Sequence, residues 1–346
     1  MRRIAIILFN LGGPDGPAAV QPFLFNLFND KAIIGAPQPI RWFIAKLIST
    51  RRAPIAQEIY AQLGGGSPLV PNTKKQADAL QRVLQEQYVD DEVKCFTAMR
   101  YWHPMADEIA TNVKAWGADE VILLPLYPQY STTTSGSSIK DWERASRKVG
   151  LDVATKGICC YPTNSGFVSA VAERLKTALA GTAEHSNIRV LFSAHGLPKK
   201  IVDRGDPYKW AIEQTAAAVM EKLNRSALQW RVSYQSRVGP LEWIKPYTED
   251  EIRLAGSEGK NLIVVPIAFV SEHSETLVEL DIEYRELAEK AGVVSYSRIG
   301  TVSDDAAFIS GLAELVSAAR SRNAGLFGPE GHRVCPAECA QCPVAG

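Results

Sequence analysis

The chain carries no net charge, because thirty-eight basic and thirty-eight acidic side chains cancel over 346 residues. A nucleic-acid binder normally shows a basic excess or a basic stripe, so this balance speaks against that class. No apolar run approaches the roughly 18 residues that a membrane span needs. The longest, Leu262 to Val270, is broken by Pro266. The start, Met1 to Phe9, has two arginines and a short apolar stretch but no small-residue cleavage site, and it runs straight into Asn10-Leu-Gly-Gly-Pro. It reads as a first strand rather than a signal peptide, which makes a cytoplasmic location the expectation. Nucleotide signatures are missing too. Gly64-Gly-Gly-Ser67-Pro has no apolar strand before it, and the hydroxyl-rich stretch Tyr127 to Ser138 lacks the lysine and glycine spacing of a P-loop. Six cysteines are too few for a disulfide scaffold.

What is present is an alternation. Ile4 to Phe9, Val93 to Met99, Val121 to Tyr127, Val153 to Cys160, Ile188 to Ala194, Trp230 to Gln235 and Leu262 to Ala268 read as short buried strands. Helical patterns separate most of them: Thr73 to Gln87, Met105 to Trp116, Phe167 to Ala180, Trp210 to Leu223 and Glu275 to Ala291. Strands alternating with helices imply βαβ crossovers and parallel sheets covered on both faces, an α/β class. The halves also resemble each other. Leu8-Phe-Asn-Leu-Gly-Gly-Pro14 sets against Leu191-Phe-Ser-Ala-His-Gly-Leu-Pro198, Arg100 against Arg237, and Val121-Ile-Leu-Leu-Pro-Leu126 against Leu262-Ile-Val-Val-Pro-Ile267. The simplest account is a duplicated unit whose first copy carries an insertion within residues 15–66. That insertion is rich in Phe, Ile and Trp (Phe23, Phe25, Phe28, Trp42, Phe43) and is followed by Arg51, Arg52 and Tyr60. Insertions after a strand lie near the ligand crevice of an α/β sheet, so an apolar flap with basic residues suits a large flat apolar ligand with anionic groups. A helical hairpin packed into its own core is the plainer alternative.

Three places carry chemistry. His195 stands where a strand stops, at the active edge of a parallel sheet, where an imidazole can accept protons or bind a metal. Glu272, Glu275, Glu279, Glu283 and Glu286 step by helical intervals and would line one face. Like charges at that spacing repel, which is tolerated if the face is solvated or if cations and protons move along it. Cys335, Cys339 and Cys342 crowd the tail and supply three thiolates, one fewer than zinc or an iron–sulfur cluster needs. Cys159 and Cys160 end a predicted strand and should point to opposite faces, so only one could face the tail. Cys95 lies inside a strand and reads as a small hydrophobe.

Taken together, Leu8-Phe-Asn-Leu-Gly-Gly-Pro, Gly64-Gly-Gly-Ser-Pro-Leu, Pro128-Gln-Tyr-Ser, Phe192-Ser-Ala-His-Gly-Leu-Pro, Asp203-Arg-Gly-Asp-Pro-Tyr208, Gln235-Ser-Arg-Val-Gly-Pro and the run from Pro266 to Tyr284 resemble the ferrochelatases over nearly the whole chain. The resemblance implies two similar Rossmann-like domains of class II chelatase type with a porphyrin cleft between them. It implies insertion of Fe²⁺ into protoporphyrin IX, with release of two protons, as the last step of haem synthesis. The expected division is residues 1–160 with the insertion at about 15–66, then 161–325, then a cysteine-rich tail at 326–346. By resemblance His195 and Glu275 are catalytic, and His195, Glu275, Glu279 and Glu272 meet the iron. Arg51, Arg52, Tyr60, Ser67 and Tyr130 meet the porphyrin. The tail resembles a [2Fe–2S] extension with ligands Cys335, Cys339, Cys342 and either Cys160 or Cys159. Its spacing departs from the animal pattern, and the animal internal ligand aligns near Ala170, which cannot ligate. Peripheral contact with the inner membrane and a homodimer are further expectations. The rivals are a chelatase for coproporphyrin or sirohydrochlorin and a non-catalytic haem or iron–sulfur sensor. The sensor gives no reason for the acidic residues.

Overall fold

The computed structural model describes residues 1–181 and 187–344. Its contacts divide the chain into two compact units, Met1–Cys160 with Leu312–Arg333, and Tyr161–Gly311 with Val334–Gly346. The division expected from the sequence runs the second segment on to residue 325, whereas Leu312–Arg333 groups with the first unit. The reason is a short strand at Gly325–Phe327 that pairs in parallel with Ala154–Ile158. The last two residues of the tail segment lie outside the described residues.

In the first unit five parallel strands, β1 (Arg3–Asn10), β2 (Glu92–Met99), β3 (Glu120–Pro125), β4 (Ala154–Ile158) and the late β9 (Gly325–Phe327), lie in the order β2-β1-β3-β4-β9. In the second, β5 (Ile188–His195), β6 (Gln229–Gln235), β7 (Asn261–Pro266) and β8 (Ser295–Arg298) lie in the order β6-β5-β7-β8. Both sheets therefore share one winding in the order outer, first, third, fourth, and the α/β reading with two parallel sheets is borne out. Every residue of β1 from Ile4 to Asn10 is buried, as is all of β3 and β7, because helices cover both faces of a parallel sheet. The apolar runs were legible for that reason. β3 and β7 each stop at a proline, shorter than the runs suggest, since proline offers no N–H to a ladder. The sheet registers place Pro125 opposite Phe9 and Pro266 opposite Ser193, one residue out from the motif alignment that pairs Phe9 with Phe192. β8 and β9 are only four and three residues long and carry no apolar run, which is why sequence reading passes over them.

The insertion is a pair of helices, Val20–Phe28 and Ile40–Ala61. Val20, Phe23, Leu24, Tyr60 and Tyr101 form a small core of its own. Only part of its apolar surface goes there: Ile40, Trp42, Phe43, Leu47 and Ile55 remain exposed. The hairpin-core reading thus describes part of the insertion, and an exposed apolar face remains beside it. Among the described residues no helix is long and apolar enough to cross a membrane.

Candidate active site

His195 is the last residue of β5, half open to solvent, and its ring is fixed by its own turn. Nδ1 lies 2.6 Å from the Gly196 carbonyl oxygen. A carbonyl can only accept, so Nδ1 donates its N–H there and Nε2 is the ring nitrogen turned toward the site. That Nε2 lies 3.8 Å from Glu275 Oε1. On the other carboxylate oxygen, Oε2, His273 Nε2 approaches to 3.6 Å. The buried His273 ring is oriented the same way, with Nδ1 3.1 Å from the Ser271 carbonyl. Two imidazoles therefore flank one carboxylate. Burial raises the Glu275 carboxyl, but the His195 and His273 rings outweigh it and bring it down to about 2.

The second carboxylate is held differently. Glu279 Oε1 accepts from the Ser236 backbone N–H at 2.8 Å and from the Tyr284 hydroxyl at 2.9 Å. Oε2 accepts from the Ser236 hydroxyl and from Gln235 Nε2. Those four donors favour the ionised form. Burial and the neighbouring Glu275 charge override them, so the Glu279 carboxyl sits above its ordinary value. Ser236 adopts φ +62°, a left-handed conformation uncommon for a non-glycine residue, and so aims both its N–H and its hydroxyl at one carboxylate. Ser236, Gln235 and Tyr284 are site residues that the sequence reading did not single out, whereas the resemblance had placed His273 beside Glu275. The Gln235-Ser-Arg-Val-Gly-Pro motif was the available signal for the first two.

The row of five carboxylates does not survive as a row. Glu275–Glu283 is a π-helix, continued by an α-helix from Tyr284 to Ala291, so the intervals of an α-helix do not apply across it. Glu275 and Glu279 are partly buried, whereas Glu283 and Glu286 are exposed. Glu272 precedes the helix and is bound to the buried Arg298 of β8 at 2.9 Å and to the Thr301 N–H at 2.9 Å. Burial raises its carboxyl, and Arg298 outweighs that to hold it low. Glu272 thus serves a structural ion pair that anchors the loop leading to His273 and Glu275.

In the first unit Arg51 and Arg52 are exposed, Arg52 lying 5.7 Å from the Phe28 ring centroid. Tyr60 and Tyr130 are buried. Ser67 donates its N–H to the Pro14 carbonyl at 2.7 Å, which ties the glycine loop to the end of β1. Cys159 and Cys160 follow β4, which stops at Ile158, so strand alternation no longer applies and their sulfurs approach to 3.2 Å. This corrects the expectation of opposite faces. Cys95 is half-buried, and burial raises its thiol. In the tail Cys335 and Cys339 are buried and Cys342 is half-buried, in turns closed by Cys339 N–H to Pro336 and Cys342 N–H to Cys339. Among the described residues no group of three or more His, Cys, Asp or Glu side chains is arranged to hold a metal ion.

Comparison with known proteins gives the family and the fold. A family model described as ferrochelatase matches residues 3–320. A ferrochelatase of Hyphomonas neptunium is 51% identical over 99% of this chain and 95% of its own length. One from Phenylobacterium zucineum is 52% identical over 98% and 97%, and one from Pelagibacter ubique 47% over 98% and 98%. Among solved structures, SirB from Bacillus subtilis with Fe³⁺ superposes with a TM-score of 0.55 at 11% identity, covering 94% of this chain and 99% of its own, a likeness of fold alone.

Proposed function

The chain belongs to the ferrochelatase family, metal-inserting enzymes of haem biosynthesis, and we propose that His195, Glu275 and Glu279 are its proton-handling insertion site. The observation that carries this is the His195–Glu275 contact with the ring orientation fixed by the Gly196 carbonyl. Inserting Fe²⁺ into a porphyrin replaces two pyrrole N–H protons, so the protein must accept protons while the ring is held out of plane. His195 Nε2 is the nitrogen that exchanges the proton, because Nδ1 is committed to the Gly196 carbonyl. Once protonated, the imidazolium is stabilised by Glu275, whose low proton affinity keeps it a carboxylate rather than a competitor for the proton. Glu279 has the higher affinity and is the acceptor for the proton passed onward. Mutual repulsion between the two carboxylates favours proton uptake by one of them.

The finer reading is protoporphyrin IX as the porphyrin. The support is an exposed apolar face on the insertion next to Arg51 and Arg52, which suits a macrocycle with one greasy edge and two propionates. Tyr60, Ser67 and Tyr130 complete the proposed porphyrin set, with the two tyrosines acting through packing because both are buried. The same apolar face supports peripheral membrane contact in a cytoplasmic protein. A homodimer is a further part of the proposal, resting on the family resemblance alone. A [2Fe–2S] group on Cys335, Cys339, Cys342 and Cys160 or Cys159 does not fit the side chains as they stand, since no three described residues form a metal-holding group. No step is assigned to it.

Anaerobic assays with ferrous iron test the reading. Insertion into protoporphyrin should exceed insertion into coproporphyrin. Turnover of coproporphyrin alone would replace the substrate, and haem binding without any insertion would overturn the enzyme in favour of a sensor. Anaerobically purified protein with [2Fe–2S] absorbance and a paramagnetic signal on reduction would establish the cluster; protein lacking both would remove it.

A further inference from the structure

The cysteine tail reaches His195 through a short series of contacts within the second unit, and we propose that this series positions the imidazole. The tail is seated on Gly205. The Gln341 N–H donates to the Gly205 carbonyl at 3.0 Å. A Cβ on Gly205 would lie 2.6 Å from the Ala340 nitrogen and 2.9 Å from the Glu338 oxygen, and the residue has φ +92°. Only glycine permits that backbone and that approach. Three residues later Tyr208 opens the helix Tyr208–Leu223, and its own N–H is held by Asp206 Oδ1 at 3.0 Å. The buried Tyr208 hydroxyl donates at 3.0 Å to the backbone carbonyl of His195. Burial keeps that phenol protonated, and the nearby Tyr234, Glu275 and Asp206 act in the same direction, so it stays a donor.

The consequence follows from where the hydroxyl points. His195 closes its strand, and the next residue supplies the carbonyl that fixes the ring. A shift of the Gly205 loop therefore moves the His195–Gly196 peptide, which joins the imidazole's backbone to the Gly196 carbonyl that orients the ring. Tyr208 is a positioning residue, and the tail turn is the outer support of its loop. Opening the turn by chemistry at Cys339 or Cys342 misaligns the imidazole without touching porphyrin contacts.

The proposal rests on the insertion reading above, and its tests separate the two. Gly205→Ala and Gln341→Pro should each raise the reactivity of the tail thiols toward a maleimide. Both should lower kcat roughly tenfold, with porphyrin KM unchanged, because a small misplacement of a reacting group costs rate rather than binding. Tyr208→Phe should reproduce the kcat loss while leaving tail thiol reactivity as in the unsubstituted protein. The pair Gly205→Ala with Tyr208→Phe should be less than additive, as expected for two steps of one series. Amide exchange at Gly196 and Leu197 reports the same link without turnover and should quicken in all three variants. If the unsubstituted protein inserts no metal, the functional reading fails, yet the exchange measurement still decides the link. Tail thiols exposed by Gly205→Ala with unchanged kcat and unchanged exchange would overturn the proposal. So would thiols that Gly205→Ala does not expose.

Discussion

The two sheets have the same winding but end in different chemistry. Where β1 stops, Asn10 bonds Thr73 at 2.9 Å, a neutral pair buried in the unit. Where β5 stops stands His195. After β2 comes Arg100, whose guanidinium is 2.9 Å from the buried Asp30, which also accepts from the Tyr101 and Ser137 hydroxyls. After β6 comes Ser236, whose donors reach Glu279 instead. The first arrangement pairs a carboxylate with a cation that does not give up its proton. The second pairs carboxylates with hydroxyl donors and with imidazoles, the side-chain type that ordinarily exchanges protons near neutrality. One scaffold thus carries a structural ion pair in one copy and, in the other, the set proposed to handle protons. The loops after the strands, not the strands, decide which.

The largest break in this contrast comes from the second copy. His195→Ala and Glu275→Gln should each lower kcat for iron insertion by about 10²–10⁴-fold, the range for losing a positioned acid or base. Porphyrin affinity, followed by fluorescence quenching, should stay within a few-fold. Full turnover by either variant would return the site to a structural role. Next in size is the first copy. Asp30→Asn removes the nearer of two carboxylates on Arg100, leaving Asp141 at 3.6 Å, and takes the acceptor from the Tyr101 and Ser137 hydroxyls; it should cost about 3 kcal/mol, seen as a lower Tm. Burial raises the Asp30 carboxyl, and Arg100 with the Ser137, Ala32 and Tyr101 donors outweighs this and holds it low. An unchanged Tm would mean that the pair contributes nothing net.

The sequence shows these two outcomes unequally. Strand runs and the duplication were legible because burial on both faces leaves a continuous apolar signature in Ile4 to Phe9 and in Leu262 to Val265. His195 was legible as an ionisable residue at a strand end, and Glu275 as one in the acidic run that follows the last long apolar strand. The row from Glu272 to Glu286 was misread, because a π-helix looks like any acidic helix until its hydrogen bonds are seen. Arg298 lies on a four-residue strand without an apolar run, so nothing in the sequence linked it to Glu272. Ser236 escaped for a related reason: its left-handed backbone marks it, and backbone angles leave no trace in a residue that is not glycine. Polar partnerships between distant segments are tertiary, and residue type alone does not reveal them.

The finest test compares the two carboxylates of the site. Glu275 has a folded-state value of about 2, below its ordinary 4.5. Its ionised form therefore stabilises the fold fully above pH 4.5, and that contribution is lost as pH falls toward 2. Glu279 is shifted the other way, so its contribution is present below 4.5 and disappears as pH rises through its higher folded-state value. The signs are opposite for two residues one helical turn apart. Glu275→Gln should lower Tm at neutral pH by the equivalent of about 1–2 kcal/mol, once the open quarter of its side chain is discounted for solvent screening, and should flatten the acid limb. Glu279→Gln should raise Tm at neutral pH, because it removes a carboxylate that folding makes harder to ionise. Thermal unfolding from pH 3 to pH 8 reads both. If the two substitutions moved Tm in the same direction across that range, the carboxylates would be equivalent, and the division of labour between charge stabiliser and proton acceptor would fail.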